Sequence, residues 1–124
     1  MYPGWDPSQG PTASREEILP PGGRFLVAFL GDRPVACGAL KRLDSSTAEL
    51  KRIYVRPEAR GRGVARALLA GLERAARDAG YSRVRLDTGD RLPGAPALFR
   101  SCGYREIADY NANPFASLWF EKEL

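Results

Sequence analysis

The sequence predicts a mixed α/β domain: a central, mostly antiparallel sheet that contains one parallel, splayed strand pair joined by a crossover helix. Three observations predict it. Two short apolar runs, residues 24–30 and 34–43, flank Gly31 and Asp32, the pattern of a hairpin. A strand over 48–55, a glycine-rich turn, a helix-period run over 64–79 and an alternating run over 82–88 form a strand–helix–strand unit, whose two strands must run parallel. Two further strands, 104–110 and 117–124, close the chain.

The elements follow in order. Residues 1–23 carry Pro3, Gly4, Pro7, Gly10, Pro11, Pro20, Pro21, Gly22 and Gly23, which predicts an irregular N-terminal segment before a domain over 24–124. One helical turn fits 14–19, where Ser14 and Glu17 have capping-box spacing. Tyr2 and Trp5 either cap the core or wall a ligand site. The run RFLVAFL over 24–30 reads as a buried strand, and its return strand alternates Val35, Cys37 and Ala39 against Ala36, Gly38 and Leu40. Asp44 to Thr47 makes the next turn.

In the strand over 48–55 the apolar phase starts on Ala48 and Leu50 and then switches to Ile53 and Val55. Strand faces alternate with period two, so the switch predicts a β-bulge near Lys51 or Arg52. The competing reading is a strand buried on both faces with no bulge. In the helix over 64–79, Ala65, Leu68, Leu69, Leu72 and Ala76 share the core face, and Arg66, Glu73, Arg74 and Arg77 the outer one. Gly80 caps it. A short helix over 95–102 starts near Pro96 and ends at Gly103.

Bulk properties exclude several function classes. At 124 residues, 44% hydrophobic and 27% charged, the chain has the makeup of one soluble globular domain. No apolar run reaches the roughly 18 residues that span a membrane, and the N-terminus lacks a signal-peptide pattern, so a cytoplasmic location is expected. With no histidine, Ser-His-Asp and Cys-His chemistry are excluded. Cys37 and Cys102 are far apart in sequence and apolar in context, so no metal site is expected. The net charge of +4 fits nucleic acid or an anionic ligand, and the basic residues gather between Lys51 and Arg85.

At the centre of that basic stretch lies Arg60-Gly61-Arg62-Gly63-Val64-Ala65, where a strand's forward end meets a helix's amino end. Helix amino ends carry unpaired N–H groups and about half a positive charge, and so bind anions. Gly61 and Gly63 let the backbone curl round a phosphate, and Arg60, Arg62 and Arg66 add positive charge. Taken alone, such a turn is more often only a turn; its strand-to-helix position is what points to a phosphate-bearing ligand. No Gly-Lys-Ser/Thr follows, so it is not a P-loop, and the dinucleotide fingerprint's third glycine and distal acid are missing.

The turn resembles the acyl-CoA signature of the GNAT N-acetyltransferases, Arg/Gln-x-x-Gly-x-Gly/Ala, here Arg60, Gly63 and Ala65. Val55-Arg56-Pro57 before it, Leu68-Leu69 after it, Gly103-Tyr104 and the tail from Asn113-Pro114 to Glu121 are similar to that family too. The likeness covers about residues 22–124. It implies the acyl-CoA N-acyltransferase fold and acetyl-CoA as co-substrate. In that family a bulge splays the strand from its neighbour, and the pantetheine arm enters the gap. The resemblance thus gives Ile53, Tyr54 and Val55, with Arg60, Gly61, Arg62, Gly63, Val64, Ala65, Arg66 and Phe99, as the cofactor-binding set. It also implies that amides at Tyr54 and Val55 polarise the thioester carbonyl.

Glu49 is the base candidate, against the plainer reading of an exposed strand residue paired with Lys51 or an arginine. The family's usual thiolate-protonating tyrosine is matched by Phe99, which has no proton to give, so Tyr104, Tyr110 or a water is left to substitute. Tyr110 and Asn111, with Asp87 and Thr88, are expected on the acceptor side. The family's first strand and helices find no match here, which reads as a shortened N-terminus. The acceptor side is then open, filled by residues 1–20, or covered by the second copy of a homodimer.

Three functions follow from this reading. The first is acetyl transfer to a primary amine of a small molecule or a protein. The second is acyl-CoA binding without efficient catalysis, favoured by Phe99. The third, nucleic-acid binding through the arginines, is disfavoured because no regularly spaced aromatic residues interleave with them as a base-stacking platform needs.

Overall fold

The computed structural model describes residues 16–89 and 94–124. The expectations for Tyr2, Trp5 and Ser14 lie outside those residues. Six strands form one sheet: β1 (Arg24–Leu30), β2 (Arg33–Arg42), β3 (Thr47–Val55), β4 (Arg83–Thr88), β5 (Arg105–Ile107) and β6 (Leu118–Glu123). Helix α1 (Val64–Asp78) crosses from β3 to β4, and α2 (Ala95–Ser101) precedes β5. Single 3-10 turns occupy Glu16–Ile18 and Pro57–Ala59. The strand order is β1-β2-β3-β4-β6-β5, with β3 and β4 parallel and the other neighbours antiparallel. This is the predicted mixed sheet with its crossover helix.

The bulge lies where the apolar phase breaks. Cys37 stands opposite Tyr54 and Ala39 opposite Lys51, so Gly38 alone faces both Arg52 and Ile53. Arg52 takes φ +56° to absorb the extra residue. Gly38 is required here because α1 packs directly over the bulge: a Cβ on it would lie 2.8 Å from Leu72 Cδ1. β3 is also buried on both faces from Thr47 to Lys51, so the bulge and two-sided burial coexist.

Beyond the bulge β3 parts from β4. Their parallel ladder holds only Thr47↔Arg83, Ala48↔Val84 and Glu49↔Arg85. β4 instead runs on against β6 as far as Thr88↔Leu118. Glu49 is therefore the last paired residue before the two strands split.

The two faces of the sheet differ in chemistry. On one, Leu40, Ala48, Leu50, Val84, Leu86 and Phe120 pack against Leu68, Leu69, Leu72 and Ala76 of α1 as the apolar core. On the other, alternation places Lys41, Glu49, Lys51, Arg83, Arg85, Asp87 and Glu121 side by side on four neighbouring strands. The turn at Glu16–Ile18 covers part of this second face, where Ile18 packs on Ala39.

Three elements depart from expectation. β1 is an edge strand with one open face rather than a buried strand: Phe25, Val27 and Phe29 are 44%, 41% and 57% exposed, while Leu26 and Ala28 on the other face pack against the core. Glu73 is not on the outer face of α1: it is 6% exposed, accepting hydrogen bonds from Tyr104 Oη at 2.9 Å and Lys122 Nζ at 2.9 Å. Helix periodicity counts apolar residues and misses a carboxylate whose partners come from the end of the chain. β5 stops at Ile107 rather than Tyr110 because Asp109 Oδ1 accepts from the amides of Asn111 (2.9 Å) and Ala112 (2.7 Å), turning the chain.

Candidate active site

A cleft of about 380 Å³ opens where β3 leaves β4. Ile53 and Val55 of β3 form one wall, and Ala59, Arg60, Gly61, Gly63 and the first residues of α1 line its mouth. Gly94, Ala95, Leu98 and Phe99 of α2 form the other wall. The first intrahelical bond of α1 runs from Ala67 N–H to the Gly63 carbonyl, 3.0 Å. The amides of Val64, Ala65 and Arg66 therefore have no partner within the helix, and no side chain caps Gly63. Gly63 itself sits at φ +78°, ψ 8°, a left-handed conformation, and Gly63, Val64, Ala65 and Arg66 all line the cleft. No acidic residue lies in the first turn of α1, so its positive end is unopposed from within the helix.

The arginines at the mouth are placed differently from one another. Arg60 Nε donates to the Val55 carbonyl at 3.2 Å, tying the turn back to β3. Arg66 reaches across to the end of α2, where Nη2 donates to Ser101 Oγ at 2.8 Å and Nη1 meets Cys102 Sγ at 3.3 Å. Arg62 is exposed and outside the lining.

Behind the split, on the charged face, Glu49 is 2% exposed. Its Oε2 accepts from Tyr110 Oη at 2.6 Å and from Asn111 Nδ2 at 3.0 Å. Asn111 Nδ2 also donates to Asp87 Oδ2, and Asn111 Oδ1 accepts from Trp119 Nε1 at 2.9 Å. Lys51 Nζ lies 3.2 Å from Asp87 and 3.6 Å from Glu49, while Lys41 Nζ lies 3.8 Å from Glu49 Oε1 and 3.1 Å from Glu17. Burial, then the hydrogen bond and charge of Glu49, push the Tyr110 phenol well above its ordinary range. Tyr110 thus stays protonated as a donor.

Of the eleven residues expected to hold the cofactor, nine line the cleft: Ile53, Val55, Arg60, Gly61, Gly63, Val64, Ala65, Arg66 and Phe99. Tyr54 and Arg62 do not; with Ile53 and Val55 turned to the cleft, alternation sends the Tyr54 side chain to the opposite face. Glu49 and Tyr110 are in contact, and Asp87 and Asn111 join them. Tyr104 is not brought to this group: it is 4% exposed, bonded to Glu73 under α1, with Phe99 packed edge-on at 5.8 Å. Not foreseen from the sequence were Ala59, Leu69, Gly94, Ala95 and Leu98 of the cleft lining, and Trp119, whose indole N–H fixes the Asn111 amide. A half-buried tryptophan in a strand still needs an acceptor for that N–H, and this is the signal that marks it.

The model of the acetyltransferase (GNAT) family matches residues 1–104. An IAA acetyltransferase of Azospirillum brasilense is 36% identical over 113 residues, which cover 88% of this chain and 73% of that protein. The crystal structure of a GNAT-family acetyltransferase from Staphylococcus aureus superposes with a TM-score of 0.79 at 21% identity, over 87% of this chain and 72% of that one. A GNAT acetyltransferase from Elizabethkingia anophelis, solved with acetyl-CoA bound, gives 0.69 at 20% identity, over 83% and 77%. At those identities the two structures speak for the fold.

Proposed function

The chain belongs to the GNAT acetyltransferase family, and on that premise we propose that it moves an acetyl group from acetyl-CoA directly to a primary amine of a small molecule or protein. The observation that carries the reading is the split of β3 from β4, with Glu49 at its apex and an uncapped helix amino end at its mouth. The cleft residues fit the thioester ligand. Its apolar walls and the unpaired edge of β3 at Ile53–Val55 suit an amide-bearing chain laid alongside as an extra strand. The amides of Val64, Ala65 and Arg66 suit phosphate oxygens. Acetyl-CoA, when bound, supplies an activated acetyl group. The protein's own part is to orient it, to polarise its carbonyl through backbone N–H groups beside the bulge, and to take a proton from the amine at Glu49.

A second reading, acyl-CoA binding without efficient transfer, is favoured by Phe99. This ring is 3% exposed, packs on Phe120 at 5.6 Å, and offers the leaving thiolate no proton. Calorimetric titration with acetyl-CoA and with CoA, followed by thiol release measured across a panel of amines, tests both. Micromolar or tighter binding with turnover supports transfer; binding with no turnover supports the second reading; no binding by folded protein rejects both.

A further inference from the structure

Glu49 is too enclosed to meet an amine of any size. Its Oε2 is occupied by Tyr110 and Asn111, Lys41 stands off Oε1, and the side chain is 3% exposed. Among the described side chains that touch Glu49, a proton relay needs one that both accepts and donates. An ammonium group has no lone pair to accept with, which removes Lys41 and Lys51, and the Asn111 NH₂ group only donates. A phenol hydroxyl does both. Tyr110 is half-buried where Glu49 is fully buried, and its O–H already donates to Oε2 over 2.6 Å.

Resting on the transferase reading, we infer that Tyr110 is the residue that touches the acceptor amine and relays its proton to Glu49, with Asn111 as the positioning residue. In the step, an N–H bond of the acceptor ammonium breaks and its proton binds Tyr110 Oη. At the same time the original phenol proton passes to Glu49 Oε2. The freed nitrogen lone pair forms the bond to the acetyl carbon of the thioester, the C–S bond breaks, and the second surplus N–H proton, acidic on the acylated nitrogen, passes through water to the CoA thiolate. Glu49 returns its own proton to solvent before the next turnover. No tyrosinate forms, in keeping with a phenol that its surroundings hold protonated.

The relay is built in advance. Trp119 Nε1 and the amide of Asn113 (3.1 Å) both donate to Asn111 Oδ1, so the Asn111 NH₂ group can only face Glu49 and Asp87. Asp109 folds the segment that carries Tyr110 by accepting from two of its amides. The Arg85 guanidinium lies 5.5 Å from the Tyr110 ring centre and holds the ring from the β4 side. Among the described residues the charged groups around Glu49 are Lys41 from β2, Lys51 from β3, and Arg85 and Asp87 from β4, with Glu17 of the 3-10 turn behind Lys41 and Glu121 of β6 behind Arg85.

The test is a double-mutant cycle, Tyr110→Phe and Glu49→Gln, on kcat with an amine that the parent acetylates. Each single variant is expected to lose roughly 10²-fold or more in kcat, with acetyl-CoA affinity unchanged. The double variant is expected to lose no more than the worse single one, because both serve one proton path. In Tyr110→Phe the rate should climb with pH up to the amine's own pKa instead of levelling off, and a weakly basic amine should restore it. Parental kcat and pH profile in Tyr110→Phe overturns the relay, as do losses that multiply in the double variant. A lower kcat with the parental pH profile also overturns it, since a purely structural role leaves the profile in place. A parent that binds acetyl-CoA yet acetylates no amine rejects the transferase reading itself, and the relay with it.

Discussion

Gly63→Ala separates ligand binding from fold at the mouth of the cleft. Gly63 sits at φ +78°, and a Cβ there meets nothing within 4 Å, so the substitution makes no clash. Its cost is conformational, roughly 1–2 kcal/mol for an alanine held in the left-handed region. If the backbone bears that strain, the melting temperature drops by several degrees and the amides of Val64, Ala65 and Arg66 stay in place. If it relaxes to negative φ, those amides swing away from the mouth. Losing one hydrogen bond to a charged phosphate costs about 1.5–3 kcal/mol, or roughly 10- to 150-fold in affinity. The matched control is Gly80→Ala: Gly80 has φ +95° and the same open space, but it lies past the far end of α1. Calorimetric titration with acetyl-CoA, beside thermal unfolding, should show both variants destabilised and only Gly63→Ala weakened in binding. Parental affinity in a Gly63→Ala variant that also keeps its melting temperature, so that the strain has been relaxed and the amides moved, refutes the amide cradle; equal losses in the two variants reduce the effect to general stability.

Other outcomes follow from the same structure. Glu49→Gln keeps the volume and the acceptor for Tyr110 but cannot take a proton, so kcat should fall roughly 10²- to 10⁴-fold with acetyl-CoA affinity intact; parental kcat at every pH removes Glu49 as the base. Tyr104→Phe takes a donor from buried Glu73 and should cost about 1–3 kcal/mol in urea unfolding while leaving kcat and binding unchanged; a kcat loss in the folded variant returns Tyr104 to the site. At high pH the two phenols are linked to stability. Burial, then Glu73 for Tyr104 and Glu49 for Tyr110, raises both above the unfolded value of about 10. The unfolded chain therefore releases these protons first, and the stabilisation is complete below about pH 10 and lost above it, by up to roughly 1.4 kcal/mol per pH unit for each phenol. Tyrosinate absorbance should show both ionising only with unfolding; ionisation in the folded protein near the ordinary value sinks this.

What the sequence displayed was whatever local chemistry writes in consecutive residues. The phase break between Leu50 and Ile53 located the bulge because one extra residue shifts side-chain alternation by one face, although a strand buried on both faces would show the same break. The two glycines before Val64 located the cleft mouth, because both take φ +78°. Long-range pairing left no such trace. Glu73 looked solvated until Lys122 and Tyr104 arrived from 49 and 31 residues away. Tyr104 drew attention as a tyrosine beside a glycine, yet its hydroxyl serves the packing of α1. The end of β5 was misplaced because Asp109 spends its carboxylate on backbone amides, a turn that apolar patterning does not register.

The bulge ties these parts into one argument. Without an extra residue at Arg52, β3 would keep pairing with β4, and Ile53 and Val55 would be locked in a ladder instead of lining a cleft. The bulge in turn depends on Gly38, since any side chain there would press on Leu72 and lift α1, the helix whose amino end forms the cleft mouth. The split also fixes where a base can stand. One residue further along β3 a side chain enters the core at Leu50; one earlier it enters at Ala48. Glu49 is the position that is both last in the paired ladder and turned to the charged face. There the segment after Asp109 brings the phenol of Tyr110 and the amide of Asn111 onto one carboxylate oxygen. The apolar face thus orders the ligand cleft and the charged face orders the proton path, and one strand irregularity sets both.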